Sequence, residues 1–214
     1  TLAYTHTFNK DMALTVRGNF THAENEVIYW EQSGVNYPYQ SNSGVPYKVQ
    51  RGLIALGLFK DEDDIKSSPK QTFMDNYRPG DIKYKDVNGD GTIDSNDQIA
   101  IGYSNVAPEI YYSFHLGAEW KGIGFDVMFQ GTANYSAVLN TKSMYWPLIN
   151  NTTLSSHYYE NRWTPENQNA KYPRLSSQSN ANNYQTNTIW LADRSFLKLR
   201  NVEVYYNCLL YTSP

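Results

Sequence analysis

Cysteine is almost absent: among 214 residues only Cys208 occurs, which excludes an intrachain disulfide framework. No run of about eighteen apolar residues exists, so a transmembrane helix is excluded. Membrane-crossing β-strands are not, because their alternating signal is weak and tolerates a polar composition. Charge is scarce as well, at 18% of residues with a net balance of -3, which removes any electrostatic case for nucleic acid. Catalytic patterns are missing. His6, His22, His115 and His157 lie far apart with no accompanying Ser, Cys or Glu motif, and there is no phosphate-cradling glycine loop or zinc-spaced Cys/His set. The sequence therefore reads as that of a protein that is not an enzyme. No signal peptide begins at Thr1, and the chain opens in mid-pattern, so a longer protein whose N-terminal part is missing here is expected.

Aromatic residues are abundant, with 19 tyrosines and an aromatic share of 15%. A polar, uncharged, aromatic-rich chain suits exposed sheets, and also proteins whose Tyr and Trp sit at a membrane interface. Leu2, Tyr4, His6 and Phe8 alternate with Ala3, Thr5 and Thr7, and Met12, Leu14, Val16, Gly18 and Phe20 alternate with Ala13, Thr15, Arg17, Asn19 and Thr21. Period two predicts strands, here over about 1–8 and 12–22, joined by Asn9-Lys10-Asp11. The second is as long as a tilted membrane strand of about nine to eleven residues and longer than the usual strand of a globular sheet. Alternation returns over about 110–120 and 125–136, joined by Lys121-Gly122-Ile123-Gly124, a glycine-bearing reversal. A final strand over about 195–206 changes phase near Arg200 and Asn201, as a β-bulge would make it do.

Between these strands run two long excursions, about 23–105 and 137–193. In the first, only Arg51 to Phe59 is apolar enough for a buried strand. The acidic run Asp61-Glu62-Asp63-Asp64 reads as a solvated surface, since four consecutive carboxylates cannot converge on one ion from a helix or a strand. Asp86 to Asp97 is different. Its oxygen-bearing side chains alternate around a glycine, in the spacing of an EF-hand calcium loop, with ligands at positions 1, 3, 5, 7, 9 and 12. Those positions hold Asp86, Asn88, Asp90, Thr92 through its carbonyl, Asp94 and Asp97, and Gly91 takes the sharp turn at position 6. Asp97 is one methylene shorter than the usual Glu. Asx-turns in a solvated loop would give a similar composition without an ion. No long helical pattern flanks the loop, so it reads as a lone structural calcium loop and not as half of a paired sensor.

Short connections thus alternate with very long ones. In an up-and-down antiparallel sheet the short ones share one end and the long ones the other, an asymmetry found in outer-membrane barrels with short periplasmic turns and long extracellular loops.

The chain also resembles a known family. Gly57-Leu58-Phe59, Pro79-Gly80-Asp81-Ile82-Lys83-Tyr84-Lys85-Asp86 with the loop to Asp94, Ile101 to Asn105 with Pro108-Glu109, Trp120-Lys121-Gly122 and Phe129-Gln130-Gly131 resemble the C-terminal barrel region of SusC/RagA-type TonB-dependent transporters. Arg162-Trp163-Thr164-Pro165-Glu166, Tyr172-Pro173-Arg174-Leu175 and Ser195 to Val202 extend the resemblance over nearly the whole chain. It implies an all-β antiparallel section, five strands long, of a 22-stranded plugged transmembrane barrel in the outer membrane of Bacteroidota. It further implies import of glycan or peptide fragments, a SusD-like surface lipoprotein as lid, and a TonB complex reached through parts absent from this chain. Residues 1–207 follow the family pattern; 208–214 do not, and no role is assigned to Cys208. The competing reading is a secreted, calcium-stabilised β-sandwich that binds carbohydrate. The two differ in where the apolar face of the strands ends up, outward in lipid or inward against a second sheet.

Overall fold

The computed structural model describes residues 1–207; the tail 208–214, with Cys208, lies outside the described residues. The chain divides into two compact units. One is a five-stranded antiparallel sheet of β1 (Leu2–Asn9), β2 (Met12–His22), β3 (Ile110–Trp120), β4 (Ile123–Ala133) and β5 (Phe196–Tyr206), whose order in space is their order in the chain. The other comprises residues 25–105 and 136–193.

Register makes the first unit two-faced. One row runs Tyr4, Val16, Leu116, Val127, Val202, and the next runs His6, Leu14, Ala118, Phe125, Val204. Between them on the opposite face lies Thr5, Thr15, Gly117, Asp126, Glu203. Alternation in each sequence segment has therefore become one continuous apolar surface backed by a polar one, as a side-chain period of two requires. The apolar surface is uncovered: Tyr4 is 62% exposed, Phe20 65%, Leu197 63% and Val204 70%. The hydrophobic residues found buried all belong to the other unit.

The hairpin between β3 and β4 is tighter than the four-residue reversal expected from sequence. Lys121 and Gly122 alone make it, with φ of 48° and 82°. Two successive positive φ angles give the type I′ twist that matches the flanking strands. β4 thus starts at Ile123, two residues before the predicted start. It ends at Ala133, before the predicted end at 136, because Asn134 takes φ 55° and breaks the extended backbone. In β5 the pairing with β4 skips Arg200, since Met128 faces Asn201 and Phe129 faces Leu199. That bulge accounts for the phase change seen in the sequence. The β1–β2 and β3–β4 turns are neighbours, with the Lys121 amide donating to the Asp11 carbonyl at 2.7 Å. Both long connections leave from the other end of the sheet.

The two excursions, which look patternless separately, fold together. Leu53, Ile82, Tyr84 and Ile93 from the first pack with Tyr158, Tyr172 and Trp190 from the second in one core. Tyr158, Tyr172 and Trp190 stack, with ring planes within 18° of parallel. The apolar run Arg51 to Phe59 is not one strand but two. Val49–Gly52 pairs with Ile99–Ser104, and Ala55–Leu58 with Ile82–Tyr84. Leu53 between them turns its amide to the Thr186 carbonyl at 2.8 Å, which draws the second excursion against the first.

Buried amides complete the join. Gln71 donates to Asn182 Oδ1 at 2.7 Å and accepts from the Tyr84 amide at 2.7 Å. The Tyr84 hydroxyl donates to the Asn182 carbonyl, and the Ile82 amide donates to Asn183 Oδ1. Each buried polar group so partnered avoids the cost of an unmade hydrogen bond, about 1–3 kcal/mol.

Candidate metal loop and its brace

The chain enters the predicted calcium loop from the strand Ile82–Tyr84, whose first and last residues are buried. It leaves through the short strand Thr92–Ile93 and the 3-10 turn Ser95–Asp97. Ile93 is wholly buried in the core, and Thr92–Ile93 pairs in parallel with Lys70–Gln71. The alternate positions between are thereby left to the polar side chains.

Those side chains organise the loop backbone. Asp86 accepts from the amides of Gly89 at 2.6 Å and Gly91 at 2.8 Å. Asn88 accepts from Asp90, Asp90 from Thr92, and Asp94 from Asn96, a run of Asx-turns. Gly91 has φ 81°, the left-handed turn expected at position 6. Asp97, the last predicted ligand, is 0% exposed and closes the loop by accepting from Val87 at 2.7 Å and Asp94 at 2.9 Å.

All six predicted ligands thus fall on one continuous turn of chain. Among the described residues, the ion pairs do not involve Asp86, Asp90, Asp94 or Asp97. Four carboxylates with no cationic partner, one of them buried, fit the oxygen-rich chemistry that a hard divalent cation takes. Among the described residues, no three of these carboxylates offer oxygens within 4.8 Å of one another. The six candidates thus share one loop, but its carboxylates do not converge on one point.

Sequence reasoning missed the brace. Tyr37 and Tyr39 stack at 5.3 Å beside the loop. Tyr39 donates its hydroxyl to the Asn96 carbonyl at 2.7 Å, Asn36 donates to Asn96 Oδ1 at 3.0 Å, and Asn88 Nδ2 donates to the Tyr37 hydroxyl at 3.2 Å. Burial pushes the Tyr39 phenol above its usual pKa, and the negative field of Asp97 adds to the effect. Arg51 holds the brace from behind, donating to the carbonyls of Tyr39 and Ser41 and to Asn42 Oδ1. The one signal in the sequence was Pro38, preset for the first position of the short turn Pro38–Gln40.

The remaining sequence candidates separate clearly. In the acidic run, Asp61 caps the helical turn Glu62–Lys66, and Asp64 pairs with Lys83 at 2.7 Å, a contact that holds its carboxyl below the usual range. Among the tryptophans, which the aromatic-rich sequence did not rank, Trp190 is sealed in the core and Trp146 is 43% exposed. His115 pairs with Asp126 at 2.6 Å on the polar face of the sheet. His157 meets the Tyr172 hydroxyl at 3.3 Å.

The sheet and the co-folded excursions define a class of architecture: a run of long meandering strands with an uncovered apolar face, interrupted by large folded insertions. No family model matches the chain. It is 27% identical over 175 residues to TonB-dependent receptor P26 of Formosa agariphila, covering 77% of this chain and 16% of that protein. Its fold matches the RagAB peptide transporter with a TM-score of 0.64 and 22% identity, and the RagAB peptide importer in its closed-closed state with a TM-score of 0.65 and 22% identity. Each match covers 95% of this chain and 22% of the other. The chain spans about a fifth of the length of these proteins. These similarities bear out the resemblance to a section of a SusC/RagA-type TonB-dependent receptor, and the proteins compared are described as a receptor and as transporters, not as enzymes.

Proposed function

We propose that this chain is part of the wall and outer loops of a TonB-dependent outer-membrane transporter that imports glycan or peptide fragments. The observation that carries the reading is the uncovered apolar face of β1 to β5. Strands of 11 residues rise about 36 Å, or about 26 Å when tilted by 45°, which matches the apolar band of outer-membrane barrels. A β-sandwich would spend that face on a second sheet, whereas among the described residues no second sheet covers it, and in this reading lipid does. Trp120, Ile123 and Tyr206 end it at the tight-turn side, where aromatic residues meet headgroups.

In this reading the tight turns face the periplasm and the long connections lead to the cell exterior, where a SusD-like lipoprotein covers the transporter. TonB acts through parts outside this chain. Asp86, Asn88, Asp90, Thr92, Asp94 and Asp97 would hold a calcium ion, which supplies positive charge and oxygen cross-links to a loop already shaped by Asx-turns and braced by Tyr37 and Tyr39. Within the unit built from the excursions, Tyr172 lies in the core and Asp81 is wholly buried.

The test is growth of a strain lacking the full-length receptor. It is expected to lose growth on one class of oligosaccharide or peptide while keeping growth on the corresponding monomers. Unimpaired growth on all oligosaccharides and peptides that the parent strain uses would overturn the transport reading.

A further inference from the structure

A second place gathers metal-binding side chains, away from the Asp86 to Asp97 loop. His22 ends β2, Glu24 follows two residues later, and Glu109 immediately precedes β3. One ligand atom from each of the three lies within 4.8 Å of the others. We propose that His22, Glu24 and Glu109 form a site for a divalent transition-metal ion of the zinc class, joining the exit of β2 to the entry of β3.

The backbone fixes the three positions relative to one another. His22 faces Ile110 in the sheet register, and the Ala23 amide donates to the Glu109 carbonyl at 2.8 Å. On the other side, the Glu109 amide donates to the Asn134 carbonyl, so the site is built where β2, β3 and the end of β4 are hydrogen-bonded side by side. Glu24 lies just past the end of the strand Met12–His22 and turns its carboxylate back to the His22 ring. His22 Nε2 lies 3.2 Å from Glu24 Oε1.

A histidine–glutamate surface pair would explain those two residues alone. It does not call for a second carboxylate at the same point. Two like charges held this close repel, and a cation between them converts the repulsion into binding. Asn134 Nδ2 donates to Glu109 Oε2 at 2.9 Å, an outer partner of the kind that orients ligating carboxylates. The imidazole nitrogen selects zinc-class ions over calcium, whose ligands are oxygens. Three protein ligands leave a fourth tetrahedral position for water or a small oxygen ligand.

The experiment uses the full-length receptor in detergent, freed of any histidine tag, stripped with chelator and titrated with cobalt(II) and then zinc(II). One equivalent of cobalt is expected to give a visible ligand-field band that zinc removes. His22→Ala and Glu24→Gln, both exposed and therefore tolerated by the fold, each weaken that binding at least about 10-fold. Asp86→Ala combined with Asp90→Ala leaves it unchanged, which separates this site from the calcium loop. Absence of the cobalt band in the unaltered receptor, or equal binding by the His22→Ala variant, would overturn the proposal.

Discussion

Trp163 lies across Gly80 so closely that a Cβ on Gly80 would stand 2.5 Å from Trp163 Cε3. Gly80 also has φ 87°, and its carbonyl accepts from the Arg174 amide at 2.9 Å. Three motifs distant in sequence, Pro79-Gly80-Asp81, Arg162-Trp163-Thr164 and Tyr172-Pro173-Arg174, therefore meet at one point. Their joint presence in the sequence reflects a packing requirement.

Gly80→Ala should destabilise the unit by about 2–4 kcal/mol, combining the cost of a side chain at positive φ with overpacking against the indole. In a Trp163→Ala background the clash with the indole is removed and about 1–2 kcal/mol should remain, from the positive φ and from Arg174 Cβ, 3.0 Å from the added Cβ. Denaturant melts of the full-length receptor in detergent, run as a double-mutant cycle, measure the coupling.

Asp81 is wholly buried, and its carboxylate accepts from the Arg78 amide, Asn180 and Asn183 and pairs with Arg174 at 2.9 Å. Arg174→Met leaves that charge without its cation and should cost about 3–5 kcal/mol. Asp81→Asn with Arg174→Met should cost less than Arg174→Met alone, because no uncompensated charge remains. Protease resistance of residues 25–105 reports both.

Burial pushes the Tyr145 phenol up to about 12 and raises Tyr158 and Tyr84 in the same direction. Unfolded tyrosines ionise near pH 10, so above that pH the unfolded state binds fewer protons than the folded one. Stability is then full below about pH 10 and falls as pH rises through about 12. Tyr145→Phe should move the alkaline unfolding midpoint upward, measured by circular dichroism against pH.

Calcium at 100 times its dissociation constant should stabilise its loop by about 2.7 kcal/mol. Limited proteolysis between Asp86 and Asp97 should slow in millimolar calcium and recover with chelator. The Asp86→Ala, Asp90→Ala variant should be cut equally fast in both conditions; calcium-dependent protection in that variant would remove the loop as the binding site.

The sheet was legible because each long strand writes its two faces into a period of two, and even the bulge at Arg200 shows as a slipped phase. The co-folded excursions were not. Asn180, Asn182, Asn183 and Asn187 have the composition of a solvated loop, yet all four are buried and serve as side-chain partners for backbone and tyrosine groups far away in sequence. No local pattern encodes such pairings. The same holds within the candidate site. The ligand spacing of Asp86 to Asp97 is local and readable, whereas the Tyr39 contact to Asn96 joins residues 57 apart and exists only after folding.

The central claim is that the apolar face of β1 to β5 meets lipid. Single cysteines placed in turn along β4, from Ile123 to Ala133, in the full-length receptor reconstituted in bilayers and spin-labelled, test it directly. Accessibility to lipid-soluble oxygen should peak at positions 125, 127 and 129 and fall at 126, 128 and 130, with accessibility to a water-soluble nickel chelate in the opposite phase. Uniform accessibility along the strand, or greater chelate access at 125, 127 and 129, would contradict the account.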